Sequence, residues 1–105
     1  AFQENAPITV VIDNNGGLTT ISQQQERLFG HDRHVATDFR DIPFHSMFEG
    51  LGGYGELVED PAEITPAVNR AMASGRTACV NVRSRGVISP IVAAVTSKRD
   101  KASIE

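Results

Sequence analysis

ITVVIDNNGG, residues 8–17, is the stretch on which the fold turns. Ile8, Thr9, Val10, Val11 and Ile12 form a β-branched run that is apolar on both faces. That is the pattern of a buried strand in a parallel sheet rather than of a one-sided antiparallel strand. It stops at Asn14, Asn15, Gly16 and Gly17, residues suited to tight turns and to close backbone approach. Just downstream, Thr19 to Phe29 predicts a helix closed by Gly30. Upstream, Ala1 to Asn5 reads as the last turn of a helix with nothing before it to be its beginning. An isolated turn is unstable, so the chain is expected to be cut from something longer.

Further along, HDRHVATDFRDIP (31–43) is polar and aperiodic, a connecting loop. A helix from about Pro43 to Gly50 should carry Phe44, Met47, Phe48 and Leu51 on one face, and Tyr54 to Val58 reads as a strand. Asp60 is a helix N-cap, with Pro61 at the first helical position and Glu63 in capping-box position. The helix that follows should bury Ile64, Ala67, Val68, Ala71 and Met72, and Gly75 ends it. TACVNV (77–82) is a last strand, apolar nearly throughout. The expectation is an α/β fold of three layers, a mostly parallel sheet with flanking helices. Beyond it, residues 83–105 carry Arg83, Arg85, Lys98, Arg99 and Lys101 and read as a basic surface tail.

Composition narrows the functional classes. A chain of 105 residues, 40% apolar, holds one modest core, and its formal charge of −3 offers nothing to nucleic acid or to an anionic membrane surface. The single cysteine, Cys79, excludes an internal disulfide framework and sits in an apolar run as a core thiol. There is neither a membrane-spanning stretch nor a secretory leader, so a cytoplasmic address is expected. His31, His34 and His45 lie too far apart in character to form a metal set: two belong to a polar loop and one flanks an apolar helical stripe.

In parallel sheets ligands collect at the carboxyl ends of strands, which draws attention to residues 14–17. An amide oxygen from Asn15 and the carbonyl of Gly17 could supply two neighbouring corners of a magnesium octahedron. A helix starting near Leu18 would aim unpaired N–H groups at an anion in the same place. From the residues alone the signal is weak, and NNGG reads first as a common turn.

The surrounding chain adds a resemblance. AFQENAPITVVIDNNGGLTTISQQQERLFG resembles the second half of the thiamine diphosphate-binding motif of the acetolactate synthase, benzaldehyde lyase and oxalyl-CoA decarboxylase superfamily. FHSMFEGLGGYGELVEDPAEITPAVNRAMASGRTACVNV is similar to that superfamily's later helix, glycine turn, strand, helix and strand. The match covers about four-fifths of the chain, in order and in spacing. It implies that residues 1–82 are the C-terminal portion of a diphosphate-binding domain. Its N-terminal strands, and a Gly-Asp-Gly segment whose aspartate ligates magnesium, would lie upstream.

Carried over by residue, the resemblance implies thiamine diphosphate and Mg²⁺ as cofactors, with Asn14, Asn15, Gly16, Gly17, Leu18 and Thr19 around the diphosphate and Asn15 and Gly17 on the metal. It places Thr20, Ile21, Gln24 and Gln25 by the substrate and leaves Glu26 as either a proton shuttle or an exposed surface carboxylate. These polar residues equally suit a solvated helix face. Gln24 stands where acetolactate synthases carry a bulky tryptophan, which argues for a more polar substrate. The implied parent is closest to a 2-hydroxyacyl-CoA lyase or an oxalyl-CoA decarboxylase, with an acetolactate synthase-type carboligase as the alternative. Its substrate would be an acyl-CoA or a 2-oxo or 2-hydroxy acid. A pyrimidine-binding domain, usually on another subunit of a homodimer or homotetramer, would supply the activating glutamate. Under that reading the basic tail is a lid for thioester phosphates; otherwise it is a solubilising C-terminus. A non-enzymatic reading also stands, in which a small α/β module uses NNGG as a turn.

Overall fold

The structure, a computed structural model, describes residues 1–94. They divide into two units: Ala1–Asn15 with Asp41–Arg85, and Gly16–Arg40 with the described residues from Gly86 onward. The first unit carries a parallel sheet of β1 (Thr9–Asn14), β2 (Tyr54–Val58) and β3 (Ala78–Arg83) in the order β1-β3-β2. Thr9 lies beside Ala78 and Asn14 beside Arg83, while Tyr54 and Val58 lie beside Ala78 and Val82. All three carboxyl ends therefore meet at one edge.

β3 is central, and Ala78 to Asn81 are buried. The strand expected to be covered on both faces, β1, lies instead at the rim, with Ile8 and Val11 each 50% exposed. An apolar run reports that a strand's faces are wanted by a core; strand order is decided by the crossovers, and here they place the last strand in the middle.

Alternation along β3 divides the packing. Ala78 and Val80 join Val58, Ala67 and Ala71 in the core, flanked by Tyr54, Ile64, Val68 and Val82. The helix on that face, α3 (Ile64–Ala73), follows a 3-10 turn at Pro61–Glu63 whose cap is Asp60, with Oδ1 accepting from the Ala62 amide at 2.9 Å. Ala67 and Ala71 let the helix backbone approach the sheet closely. Glu63 does not close a capping box; its carboxylate lies 3.7 Å from Arg70. Arg70 also forks onto Glu56 of β2, at 2.5 and 3.2 Å, and the Tyr54 hydroxyl donates to the same carboxylate at 2.8 Å.

On the opposite face lies α2 (Phe44–Gly50), packed on β2 and β3. Gly55 of β2 runs directly beneath the carbonyl of His45, where any Cβ would collide with backbone. The inward stripe is Phe44, His45 and Phe48, not the expected one: Met47 and Leu51 are exposed, as is Met72 on α3. Small residues at the contacts rotate each helix about its axis, and the rotation moves these side chains outward. Phe48 meets Phe2 edge-on, with ring centroids 5.5 Å apart. The Phe2 segment has the expected helix-end geometry: the Ala6 amide donates to the Ala1 carbonyl and the Asn5 amide to that of Phe2, with Asn5 at φ 50°.

Arg83 belongs to the sheet rather than to a tail. As the last residue of β3 it pairs with Asp41 at 2.6 Å and with Glu59. In the second unit, α1 (Thr19–Phe29) ends as expected at Gly30, whose amide donates to Glu26. Residues 86–89 have no regular secondary structure and residues 90–94 are helical. Lys98, Arg99 and Lys101 lie outside the described residues. Among the described residues no helix is long and apolar enough to cross a membrane.

Candidate functional site

The carboxyl edge of the sheet is a polar shelf. The Asn14 amide group donates to the Ile42 carbonyl at 3.4 Å, and the Asn14 carbonyl accepts from the Ser84 amide at 2.9 Å. The Ser84 hydroxyl donates to Asp13, one residue back on β1. Beneath this shelf Asn81, 1% exposed, sets its Nδ2 3.2 Å from His45 Nδ1 and 3.5 Å from the Ile42 carbonyl, while its Oδ1 has no protein partner. An asparagine inside the apolar run ACVNV is the sequence signal for this buried amide, though periodicity alone makes it one more strand residue.

Asn15 ends the first unit and Gly16 begins the second. Gly16 takes φ +82°, a conformation that a side chain resists. Its carbonyl accepts from the Phe39 amide at 2.8 Å, and the Leu18 amide donates to the Thr37 carbonyl at 2.7 Å. These bonds flank an antiparallel bridge between Gly17 and Asp38. Gly17 presses on the Thr37 carbonyl so closely that a Cβ has no room. Thr37 itself is buried, and its hydroxyl has no protein partner.

From this turn α1 departs with no side-chain cap and no acidic residue in its first turn. The amides of a first helical turn have no partner within the helix, and the aligned peptide dipoles make that end positive. A glycine turn leading into an uncapped helix is a cradle for an anionic oxygen cluster, and these residues fit a diphosphate. Among the described residues no group of three or more His, Cys, Asp or Glu could hold a metal ion. A metal here would depend on amide and backbone oxygens, which suits a hard cation such as magnesium.

Along α1 the expected pocket residues take different stations. Leu18, Thr20, Ile21 and Gln24 are exposed and Thr19 is half-buried. Gln24 lines a cavity of about 200 Å³ with Arg27, Leu28, Ile91 and Val92. Gln25 turns to the loop, its Oε1 accepting from the Val35 amide at 2.9 Å. Gln23, not singled out from sequence, holds the segment before the last described helical turn: its Nε2 donates to the Val87 carbonyl at 2.7 Å and its Oε1 accepts from the Ser89 amide at 3.0 Å.

Glu26 is neither bare nor fully exposed. Its Oε1 lies 2.7 Å from His34 Nδ1, and the other ring nitrogen lies 2.9 Å from Asp38. Hydrogen bonds that its ring N–H groups donate to Asp38 first, then to Glu26, hold the His34 pKa above its ordinary value. Eight residues separate Glu26 from His34, so no local spacing announces the pair. His31 is exposed beside Asp32, and burial pushes the Cys79 thiol up, as befits an inert core cysteine.

Comparison with known proteins agrees with this geometry. The family model described as thiamine pyrophosphate enzyme, C-terminal TPP binding domain, matches residues 1–82. The acetolactate synthase large subunit IlvG of Mycobacterium tuberculosis is 40% identical over 81 residues, 76% of this chain and 14% of that protein. A probable acetolactate synthase of Mycobacterium bovis matches to the same extent. A 2-hydroxyacyl-CoA lyase of Arabidopsis thaliana is 26% identical over 98 residues, 90% of this chain and 16% of that protein. The chain thus spans about one-seventh of the length of the curated relatives it matches first. With a family model matched over residues 1–82, most of its length, the chain belongs to the thiamine pyrophosphate enzyme family as part of the C-terminal TPP-binding domain.

Proposed function

We propose that the chain is the diphosphate-binding part of an enzyme that breaks or makes a carbon–carbon bond beside a carbonyl, with Mg²⁺ held by Asn15 Oδ1 and the Gly17 carbonyl. The observation that carries this reading is the uncapped, acid-free start of α1 directly after the Gly16–Gly17 turn. When bound, thiamine diphosphate supplies the reactive carbon, and the protein supplies position and charge. Asn14, Asn15, Gly16, Gly17, Leu18 and Thr19 hold the diphosphate end. Thr20, Ile21, Gln24 and Gln25 belong to the substrate side, and Glu26 is a candidate to hold a proton there. The activating glutamate, the upstream metal-binding aspartate and a second subunit come from the rest of the parent protein.

For the substrate we favour a 2-hydroxyacyl-CoA or oxalyl-CoA thioester, cleaved or decarboxylated. Support comes from Gln24 in place of a bulky aromatic and from Arg27 beside it in a partly apolar cavity that suits a mixed polar and aliphatic ligand. The acetolactate synthase-type alternative draws on the higher identity of the mycobacterial relatives. In the full-length protein, thiamine diphosphate should bind only with Mg²⁺. Asn15→Ala should weaken binding by at least the roughly 10–100-fold that loss of an outer-shell metal partner costs. Binding indifferent to chelator and to Asn15→Ala would overturn the reading, and turnover of pyruvate without acyl-CoA would reverse the substrate preference.

A further inference from the structure

His34 bridges two carboxylates on different segments of the second unit. Glu26 lies on α1 and Asp38 on the loop that returns from it. The ring is 22% exposed and Glu26 29%, so this arm is sheltered, while Asp38 is 79% exposed. Two acceptor carboxylates facing the two ring nitrogens are both satisfied only when both nitrogens carry hydrogens, as in the imidazolium. The charged groups facing His34 are Glu26 from α1 and Asp38 from its own loop. His31 stands farther off, 4.0 Å from the second Glu26 oxygen.

What the loop does next gives the clamp its consequence. Asp38 is the residue bridged to Gly17, with the Thr37 carbonyl bonded to Leu18 on one side and the Phe39 amide bonded to Gly16 on the other. The loop reaches that bridge through Asp32 and Ala36, at φ 58° and 59°, a region unfavourable for side-chain-bearing residues. Such a path persists where the surroundings hold it. Besides His34, the loop is held by the Gln25 bond to the Val35 amide and by the Arg33 amide donating to the Gly30 carbonyl.

We propose that the Glu26–His34–Asp38 clamp fixes the backbone of Gly16, Gly17 and Leu18, making His34 a positioning residue for the cofactor turn. The clamp ties α1 to the loop, the loop seals Gly17 from behind, and the turn is held in one shape before any ligand arrives. The significance of that shape rests on the function proposed above; the clamp itself does not.

The test uses the full-length protein without cofactor, reading amide-exchange protection of Leu18 and Phe39 between pH 5.5 and 8.5. Protection factors remove the intrinsic pH dependence of exchange. In the wild type, protection should fall as pH rises and His34 loses its second proton. His34→Gln should lower protection about three- to tenfold at the acidic end, the effect of one partly exposed charge-assisted hydrogen bond, and should flatten the profile. Glu26→Gln and Asp38→Asn should each do part of the same, whereas His31→Gln should leave the profile unchanged. Thiamine diphosphate affinity, measured with Mg²⁺, should fall in step with protection. Wild-type protection in His34→Gln across the range would overturn the clamp. If the wild type binds no thiamine diphosphate, the proposed function fails, and the exchange data alone decide the clamp.

Discussion

Gly16 and Gly17 are adjacent glycines that are needed for different reasons, and substitution separates them. At Gly16 an added Cβ meets nothing within 4 Å, so Gly16→Ala costs only the left-handed backbone, about 1–2 kcal/mol. At Gly17 the Cβ meets the Thr37 carbonyl, a backbone atom that cannot swing away. Gly17→Ala should therefore cost about 1–3 kcal/mol through overpacking and should open the bridge to Asp38. Exchange of the Phe39 amide in the full-length protein distinguishes them: strongly accelerated in Gly17→Ala, far less in Gly16→Ala. The need for glycine at both positions was legible in the sequence as a turn. The partner that makes Gly17 indispensable was not, because Thr37 lies twenty positions on in a segment without periodicity. The same holds for Glu26, whose spacing to His34 follows no helical or strand repeat.

Elements were more legible than contacts. The bounds of β2, the end of α1 at Gly30 and the cap at Asp60 could be read because glycines, caps and β-branched runs act locally. The faces of α2 and α3 could not be read fully. A helical repeat fixes the width of an apolar stripe, while Ala67, Ala71 and Gly55 fix its rotation, and that leaves Met47, Leu51 and Met72 outside. Two predictions belong to this scale. Asp60→Ala removes the acceptor for the Ala62 amide and should destabilise the start of α3 by about 1 kcal/mol, read as faster exchange of the Ala62 and Glu63 amides. The Arg70 guanidinium, with help from the Tyr54 hydroxyl, holds Glu56 below the usual carboxylate range. A carboxylate depressed on folding contributes stability above its unfolded pKa, near 4.5, and loses it as pH falls through the lower folded value. Arg70→Gln should thus lower the melting temperature at neutral pH, with the difference from wild type narrowing below about pH 4.

For the molecule as a whole, the α/β class and parallel pairing followed from alternating runs and helices, whereas the place of β1 at the rim did not, since side-chain pattern is silent about order within a sheet. The family model and the parallel sheet agree over residues 1–82, so the non-enzymatic module reading has little left to rest on. Central burial concentrates sensitivity on β3. Val80→Ala should cost about 2 kcal/mol, more than the same truncation at half-exposed Val11, when thermal unfolding of the two variants is compared. The order β1-β3-β2 also bears on synthesis. Among the described strands, the one that joins the other two is made last, so Thr9 waits for its partner Ala78. Closing so long a loop makes this pairing slow on the nascent polypeptide.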